Sequence, residues 1–553
     1  MLRRFRFPLL IALVSIVYFL AVGVDTMDED ASQYASMSRE MKESGSYLQV
    51  YEQGKDYLDK PPFLFWINSV SMHVFGENNF AFKLPSILFA ILAVFATFRF
   101  ARLYYEESIA KLAAIVLATC QALFLITNDI RTDTILMGWV ALAIWLLAEW
   151  ERKKENKYFL LASVAIGFGM VTKGPIALIV TVFAFAPHFI LKRKFSYLFK
   201  PVYLVGLLII GVILLPMSIG LYLQFDLHPE KSVYGLSHVS GLRFFYWTQS
   251  FGRITGESTW NNHAPFSFLF ENLLWGMLPW TIFFVAGLVK DWISITRKKF
   301  RLQANDEIIT VAGFLLTYCS LAISKYQLPH YIYVVLPLIA VSTAKAINSI
   351  LTTRTAAGLK IAFSTFQYLV LAILLLAPIA ILKFAFPAVS FWPWLLVMCG
   401  VIAAVAIWIF SSAENKLINT SVAVILSINC FLSLWFYPQI LKYQAGNVVG
   451  RYIADHNIPK ENFFLYKYTG SARNIHFYSK RIVTTAESIH QVKAGTYLLT
   501  MEEGLKDIQM SGRSFQLVRK GEDFHVTSLT GKFLNLKTRS EVTRIYYLVK
   551  LMN

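Results

Sequence analysis

Charge is scarce in this chain. Asp, Glu, Lys and Arg make up 16% of its 553 residues, while 56% are hydrophobic; a soluble domain carries roughly 25% charged residues. That excludes a soluble globular protein and leaves a polytopic membrane protein. Acidic residues are scarcer than basic ones, 34 against 52, for a formal charge of +18. In a soluble chain this excess would point to nucleic acid. Here no nucleic-acid partner is expected, because Lys and Arg gather in cytoplasmic loops to hold the topology and meet the head groups of membrane lipids. Cysteine is nearly absent. Cys120, Cys319, Cys399 and Cys430 all fall inside apolar runs without metal-ligand spacing, so they read as small buried hydrophobes and not as a disulfide frame. The chain also lacks an internal repeat, and its polar tail has neither a Gly-rich phosphate loop nor a nucleophile elbow.

What is present is a series of about 13 apolar runs, each close to the ~20 residues that cross a hydrocarbon core: 7–25, 80–101, 109–127, 133–150, 158–171, 174–191, 202–223, 267–289, 307–323, 329–348, 361–384, 391–411 and 417–437. The start, Met1 to Arg6 and then an apolar stretch, resembles a signal peptide. The length of the run and the spans behind it favour an uncleaved first helix. Arg3, Arg4 and Arg6, then Arg99 and Arg102, Arg152 to Lys157, Lys192 to Lys200, Lys290 to Arg301, Lys345, Arg354 and Lys360, and Lys416 all fall on one side if the count holds. The positive-inside rule makes that side the cytoplasm, with the N-terminus on it. The loops at 26–79 and 224–266 and the tail face outward, to the periplasm of a bacterium.

The first outer loop has internal order. Asp30, Tyr34, Met37 and Met41 recur at helical spacing, with Arg39, Glu40, Lys42 and Glu43 pointing elsewhere and Gly45 as the stop. A second helix starts at Pro61-Pro62 and ends near Gly76. Both are expected as amphipathic helices lying in the interface plane. The tail, 441–553, alternates a helix near 445–457 with strands at 463–466, 496–500 and 545–549, and reads as a small periplasmic α/β domain. Residues 1–440 form the membrane domain.

Polar groups that do not serve topology collect on the outer face: Asp28, Glu29 and Asp30; Asp59 and Lys60; Asp129, Arg131 and Asp133; Lys173; Arg253, Glu257 and His263; Lys325, Tyr326 and His330. Ionised groups beside hydrocarbon cost several kcal/mol unless compensated. Cations bind and stabilise a departing phosphate, and a carboxylate takes a proton from an incoming hydroxyl. The ring therefore suits transfer chemistry on an anionic, membrane-borne substrate. Each member has a structural alternative. Asp30 can cap the helix behind it, Asp59-Lys60 can be a surface ion pair, Arg131 and Asp133 can cap the fourth span, Lys173-Gly174-Pro175 can be a turn, and His263 and His330 can be packing histidines. Their joint placement on one face argues against six independent structural roles.

Six motifs then resemble one family. They are Asp30-Ala31-Ser32-Gln33-Tyr34-Ala35 followed by Arg39-Glu40-Met41; Asp59-Lys60-Pro61-Pro62 before an aromatic helix; Arg131-Thr132-Asp133; Thr172-Lys173-Gly174-Pro175; His263-Ala264-Pro265-Phe266 before Leu278-Pro279-Trp280; and Ser324-Lys325-Tyr326-Gln327-Leu328-Pro329. In this order they resemble the bacterial GT-C class glycosyltransferases that use polyprenyl-phosphate sugars, the family of the lipid A aminoarabinose transferase, related to protein O-mannosyltransferases. The resemblance covers about residues 1–440.

It implies a GT-C-like fold and an inverting transfer of a sugar, 4-amino-4-deoxy-L-arabinose or a hexose, from undecaprenyl phosphate to a lipid A, glycan or protein acceptor. It implies Asp30 as base, with Glu29 as rival and Asp28 beside it. Lys60 and Arg253, then Lys173, Lys325 and Arg131, would hold the donor phosphate, and Tyr34, Asp133, Tyr326 and His330 would position the acceptor. Asp59 and His263 would be a pair for a divalent metal, zinc or magnesium. The chain departs from the pattern at Ala31, where the family has Glu, and at Asp59, one methylene shorter than the family's Glu. A monomer is expected. The alternative reading is a transporter or flippase of polyprenyl-linked or lipid cargo, which the missing repeat and the surface location of the charges disfavour; a scaffold presenting the tail leaves the motifs unexplained.

Overall fold

The computed structural model describes residues 6–257, 260–300, 302–303, 306–352 and 357–552. Arg3, Arg4, Arg301 and Arg354, four of the topology cations, lie outside the described residues. An apolar run in lipid must satisfy its backbone internally, so it folds as a helix. The first nine helices are α1 (Arg6–Leu20), α2 (Asp30–Ser44), α3 (Phe63–Phe75), α4 (Asn79–Tyr104), α5 (Glu107–Thr119), α6 (Gln121–Asn128), α7 (Thr132–Lys153), α8 (Asn156–Lys173) and α9 (Ile176–Leu191).

Among the described residues seven helices are long and apolar enough to cross a membrane, or eight if the bent pair α5–α6 is one span. The chain is a polytopic helical membrane protein. Other expected runs are helical but shorter, such as α9 and Ile309–Ala322. The run at 267–289 is two helices, Phe268–Gly276 and Thr281–Arg297, broken at Leu278-Pro279 because proline cannot donate to the helix ladder.

Burial ranks the helices. The central window of α7 is 83% buried, against 22% for Ala357–Ala385 and 11% for Phe391–Phe410. α7 is the hub, flanked by α4 and α8, while the last two present their apolar sides to lipid. Gly138 permits the α4 contact: a Cβ there would lie 2.8 Å from the Phe89 carbonyl oxygen, the close approach that small residues allow between spans.

The first outer loop corrects one expectation. α2 does not lie at an interface with its charged residues turned out. Ala31 through Met41 are all buried, Arg39 completely, because α3 packs on one side of α2 and Arg473–Tyr478 of the tail on the other. Arg39 bonds Glu43 at 2.6 Å, and the Glu40 carboxylate accepts the backbone N–H groups of Gln53 and Gly54, each at 2.7 Å. Those two residues form the positive-φ turn of an antiparallel hairpin, β1 (Tyr51–Glu52) and β2 (Lys55–Asp56), the backbone shape a two-residue hairpin needs. A second hairpin, β3 (Ser232–Val233) and β4 (Leu236–Ser237), turns at Tyr234-Gly235 in the same way.

The tail forms a four-stranded mixed sheet from β5 (Phe463–Leu465), β6 (Tyr497–Met501), β7 (Phe515–Asp523) and β8 (Arg544–Leu551), in the order β5-β6-β8-β7. The β5–β6 pair is parallel and the other two are antiparallel. A helix at Ala445–Asp455 covers it through Val449 and Ile453, which join Phe463, Leu499 and Leu548 in one core. The unit is fastened to the start of the first outer loop. Thr26 donates from its backbone to the Tyr478 hydroxyl at 2.7 Å, and Gln444 donates to the Thr26 carbonyl at 2.9 Å.

Candidate active site

The acidic triplet is divided between two partners. Asp28 accepts from Asn474 Nδ2 at 2.6 Å, and its backbone N–H donates to Gln444 at 3.0 Å. Glu29 pairs with Arg473 at 2.8 Å and with His525 at 3.6 Å. Both carboxylates therefore belong to the joint with the tail. Burial, then Asp523 and Glu29, push the Asp28 carboxyl up to about 8. Asp30 turns the other way, into the membrane domain, and its Oδ2 accepts from Arg131 Nη1. It is the first residue of α2 and makes no capping bond. Its Oδ1 carries no hydrogen bond among the described residues.

Arg131 stands at the entrance of α7, where Nε and Nη2 bond Asp129 Oδ2 at 3.0 and 2.7 Å. Burial opposes its charge, and Asp129 and Asp30 more than restore it. Asp133, in the first turn of α7 and almost fully buried, accepts from Lys173 at 2.5 Å and faces His330 Nε2 at 3.8 Å. Neither Arg131 nor Asp133 serves as a side-chain cap. Lys173 ends α8, and Gly174 beyond it turns with φ +84. Lys173 thus both precedes a turn and carries its ammonium to Asp133 and over the Tyr331 ring, 4.2 Å from the centroid.

Asp59 and Lys60 pair at 2.5 Å with side chains only 20% and 15% exposed, so this is no solvated surface pair. Burial works against the Lys60 ammonium, and Asp59 outweighs it and holds the pKa above its ordinary value. Arg253 approaches Asp59 at 3.9 Å, donates to the Tyr331 hydroxyl at 2.8 Å, and lies over the rings of Trp260, Tyr326 and Tyr331. Its Nε is buried without a hydrogen-bond partner among the described residues.

A pocket of about 110 Å³ connects these groups. Lys60, Lys173, Arg253 and Tyr331 line it together with the apolar side chains of Leu136, Ile176 and Ile179. Three cations from three separate segments of the chain thus stand at one apolar pocket, the arrangement expected of an anionic head group on a hydrocarbon chain.

Other expected members stand apart. Lys325 is exposed and lies against Gly256, outside the residues that line this pocket. Tyr326 contributes its ring under Arg253. Tyr34 is buried one turn after Asp30, edge-on to Phe65 at 5.8 Å; burial, then Asp30 and Asp59, raise its phenol well above the ordinary value and keep it a hydroxyl donor. Asp59 and His263 do not assemble a metal's donor set. His263 is exposed on its loop, the Asp59 carboxylate is taken up by Lys60, Gln249 and Arg253, and no group of three or more His, Cys, Asp or Glu suited to a metal occurs among the described residues. A tight zinc site uses three or four protein ligands, so no step below is routed through a metal.

Sequence reasoning missed four contributors. Gln249 donates to Asp59 Oδ1 at 3.1 Å, and Tyr331 joins two of the cations. Arg473 and Asn474 reach the acidic triplet from the tail. Tyr331 had a signal, its place directly after His330 and two residues beyond the last motif. The tail residues had none, being more than 440 positions from their partners.

Residues 59–219 match the dolichyl-phosphate-mannose-protein mannosyltransferase family. Two undecaprenyl phosphate-alpha-4-amino-4-deoxy-L-arabinose arabinosyl transferases are 28% identical: that of Erwinia tasmaniensis over 337 residues, 59% of this chain and 57% of the relative, and that of Yersinia enterocolitica over 333 residues, 59% and 56%. The matched region is thus less than two thirds of the relatives' length. In fold, the crystal structure of ArnT from Cupriavidus metallidurans bound to undecaprenyl phosphate superposes with a TM-score of 0.71 at 16% identity, covering 98% of this chain and 97% of that one; its apo form gives 0.69 over the same shares. The resemblance carried by the motifs holds in both respects: this chain shares the GT-C fold and is related in sequence to the undecaprenyl phosphate-aminoarabinose transferases.

Proposed function

We propose that this protein is a glycosyltransferase of the bacterial inner membrane that moves a sugar from undecaprenyl phosphate to an acceptor on the outer face, with inversion at the anomeric carbon. The observation that carries this reading is the convergence of Lys60, Lys173 and Arg253 on one apolar pocket, together with a carboxylate, Asp30, that Arg131 orients. The names of the relatives supply the same donor class.

In this reading the isoprenoid lies along Leu136, Ile176 and Ile179, and its phosphate meets the three cations. Asp30 accepts the proton of the acceptor hydroxyl through Oδ1. The acceptor oxygen bonds the anomeric carbon as the bond to the phosphate oxygen breaks, and the electron pair leaves on undecaprenyl phosphate. The cations offset the charge that develops there. A phosphate leaving group needs no general acid, which agrees with the pocket's single-sign lining. Asp133 holds Lys173 and His330 in place, and Asp59 does the same for Lys60 and Arg253. The finer topology belongs to the same proposal: about 13 crossings of the ~30 Å core, a cytoplasmic N-terminus and the tail domain outside.

Reconstitution tests it. Proteoliposomes containing the protein and radiolabelled undecaprenyl-phosphate aminoarabinose or hexose are mixed with envelope extract, and transfer of label is followed. Label that stays entirely on the carrier with both sugars sinks the proposal.

A further inference from the structure

A second, larger cavity of about 910 Å³ lies above the first outer loop, near the upper end of the ~300–1,000 Å³ of small-molecule sites. Three stretches wall it: Tyr51–Tyr57 with the β1–β2 hairpin, Lys231–Tyr234 at the β3–β4 hairpin, and Thr469–Arg473 of the tail. The donor chemistry uses none of them. Glu29, the neighbour of Asp30, is part of the lining. Tyr57 stands between the cavity and the catalytic side. Its ring meets Phe65 at 6.2 Å, and Phe65 in turn meets Tyr34, one turn from Asp30, at 5.8 Å. The cavity therefore borders the segments that carry Asp30 and Asp59, through Glu29 and Tyr57 of its lining, with the buried Tyr57, Phe65 and Tyr34 rings between it and Asp30.

The walls have a definite chemistry. Tyr51, Tyr57 and Tyr234 line the space, and the Tyr57 and Tyr234 rings stand edge to face at 6.4 Å. A tyrosine offers an apolar face with a polar tip, which matches the alternation of C–H faces and hydroxyls on a sugar. Glu29, Glu52 and Asp56 supply hydroxyl acceptors. The cations among them are already engaged: Arg473 with Glu29 and Glu52 at 2.8 and 3.0 Å, and Lys231 with Asp56 at 3.2 Å and the Gln224 carbonyl at 3.1 Å. Lys55 sits at the exposed hairpin end. Away from Lys55, a phosphate in this space would have to draw Arg473 and Lys231 off their carboxylates and then sit beside the like charges. A neutral, hydroxyl-rich ligand requires neither.

We propose that this cavity binds the acceptor, and that the acceptor presents a neutral saccharide there and not a phosphorylated one. This rests on the glycosyltransferase reading above and names its acceptor class. The tail then contributes directly to acceptor choice through Thr469–Arg473.

The test uses the full-length protein in nanodiscs on an array of neutral oligosaccharides and bisphosphorylated glucosamine disaccharide. Binding to at least one neutral oligosaccharide and not to the bisphosphate is expected, with affinity falling fivefold or more in Tyr51→Ala and Tyr234→Ala. Tyr234 is 51% exposed, and thermal midpoints read in the same discs check that both variants stay folded. Binding of the bisphosphate alone, neutral binding unchanged in both variants, or no binding to any probe overturns the proposal. Undecaprenyl phosphate binding to the wild type is read separately in the same discs. Its absence with saccharide binding intact overturns the donor reading and leaves the cavity assignment standing.

Discussion

Arg131 and Asp30 are 101 residues apart in sequence, and the guanidinium Nη1 donates to the carboxylate Oδ2. The bond fixes the orientation of Asp30 and leaves Oδ1 without a hydrogen bond among the described residues. Removing the charge with Asp30→Asn keeps the shape and the α2 start. Transfer of labelled sugar from the polyprenyl carrier should fall by about 10²–10⁴-fold, the usual worth of a positioned base, with expression and donor affinity unchanged. Turnover at the wild-type rate would remove Asp30 from the chemistry.

Lys60 and Arg253 answer to donor affinity. A hydrogen bond to a charged group contributes about 1.5–3 kcal/mol, so Lys60→Ala or Arg253→Ala should weaken undecaprenyl phosphate binding about 10- to 100-fold. Tyr331→Phe removes the hydroxyl that accepts from Arg253 but leaves every cation in place, and should cost less. Titration of a fluorescent polyprenyl phosphate into each variant in nanodiscs measures the order. Equal affinity in Lys60→Ala and the wild type would take Lys60 out of the phosphate site.

Asp133 is a matter of stability as well as positioning. It is 1% exposed and holds Lys173. Its replacement by Ala leaves a largely buried ammonium without its partner, a loss of about 3–5 kcal/mol. A clear fall in thermal midpoint in detergent is expected, larger than for Lys325→Ala, whose side chain is exposed. Similar midpoints for the two variants would contradict the buried pair.

The joint between the tail and the first outer loop should depend on pH. The Asp28 carboxyl is raised to about 8 in the folded chain by burial, by Asp523 and by Glu29, against about 3.9 for a free Asp. The docked state therefore holds a proton that the undocked state releases, so its stabilising contribution is full below pH ~4 and is lost as pH rises through ~8. Limited proteolysis between 438 and 445 should accelerate from pH 6 to pH 9. Asp28→Asn should flatten that profile, and an unflattened profile would place the titrating group elsewhere.

The membrane part was legible because lipid leaves a chain few choices. An apolar run must close its own hydrogen bonds, so the runs at 80–101 and 133–150 became α4 and α7 almost residue for residue. Gly45 and Gly76 ended α2 and α3 where their positive φ was needed. The outer-face motifs were legible for a related reason, since ionised groups at a membrane edge are costly unless used. α2 was misread because helical periodicity reports one partner surface. Arg39 and Glu40 looked exposed until the tail covered them, and nothing local in the sequence announces a partner that arrives after residue 470.

The sequence by itself determined that the chain is a bundle of membrane helices, and it singled out Asp30, Lys60, Lys173 and Arg253, because both follow from local hydropathy and spacing. Only the tertiary structure decided which of those groups meet. It turned Asp30 to Arg131 and gave Asp28 and Glu29 to Asn474 and Arg473. It brought three cations to one pocket and kept Lys325 out of it, and it opened a polar cavity between two hairpins and the tail. Those outcomes depend on contacts between residues hundreds of positions apart, which long-range packing sets and local pattern does not encode.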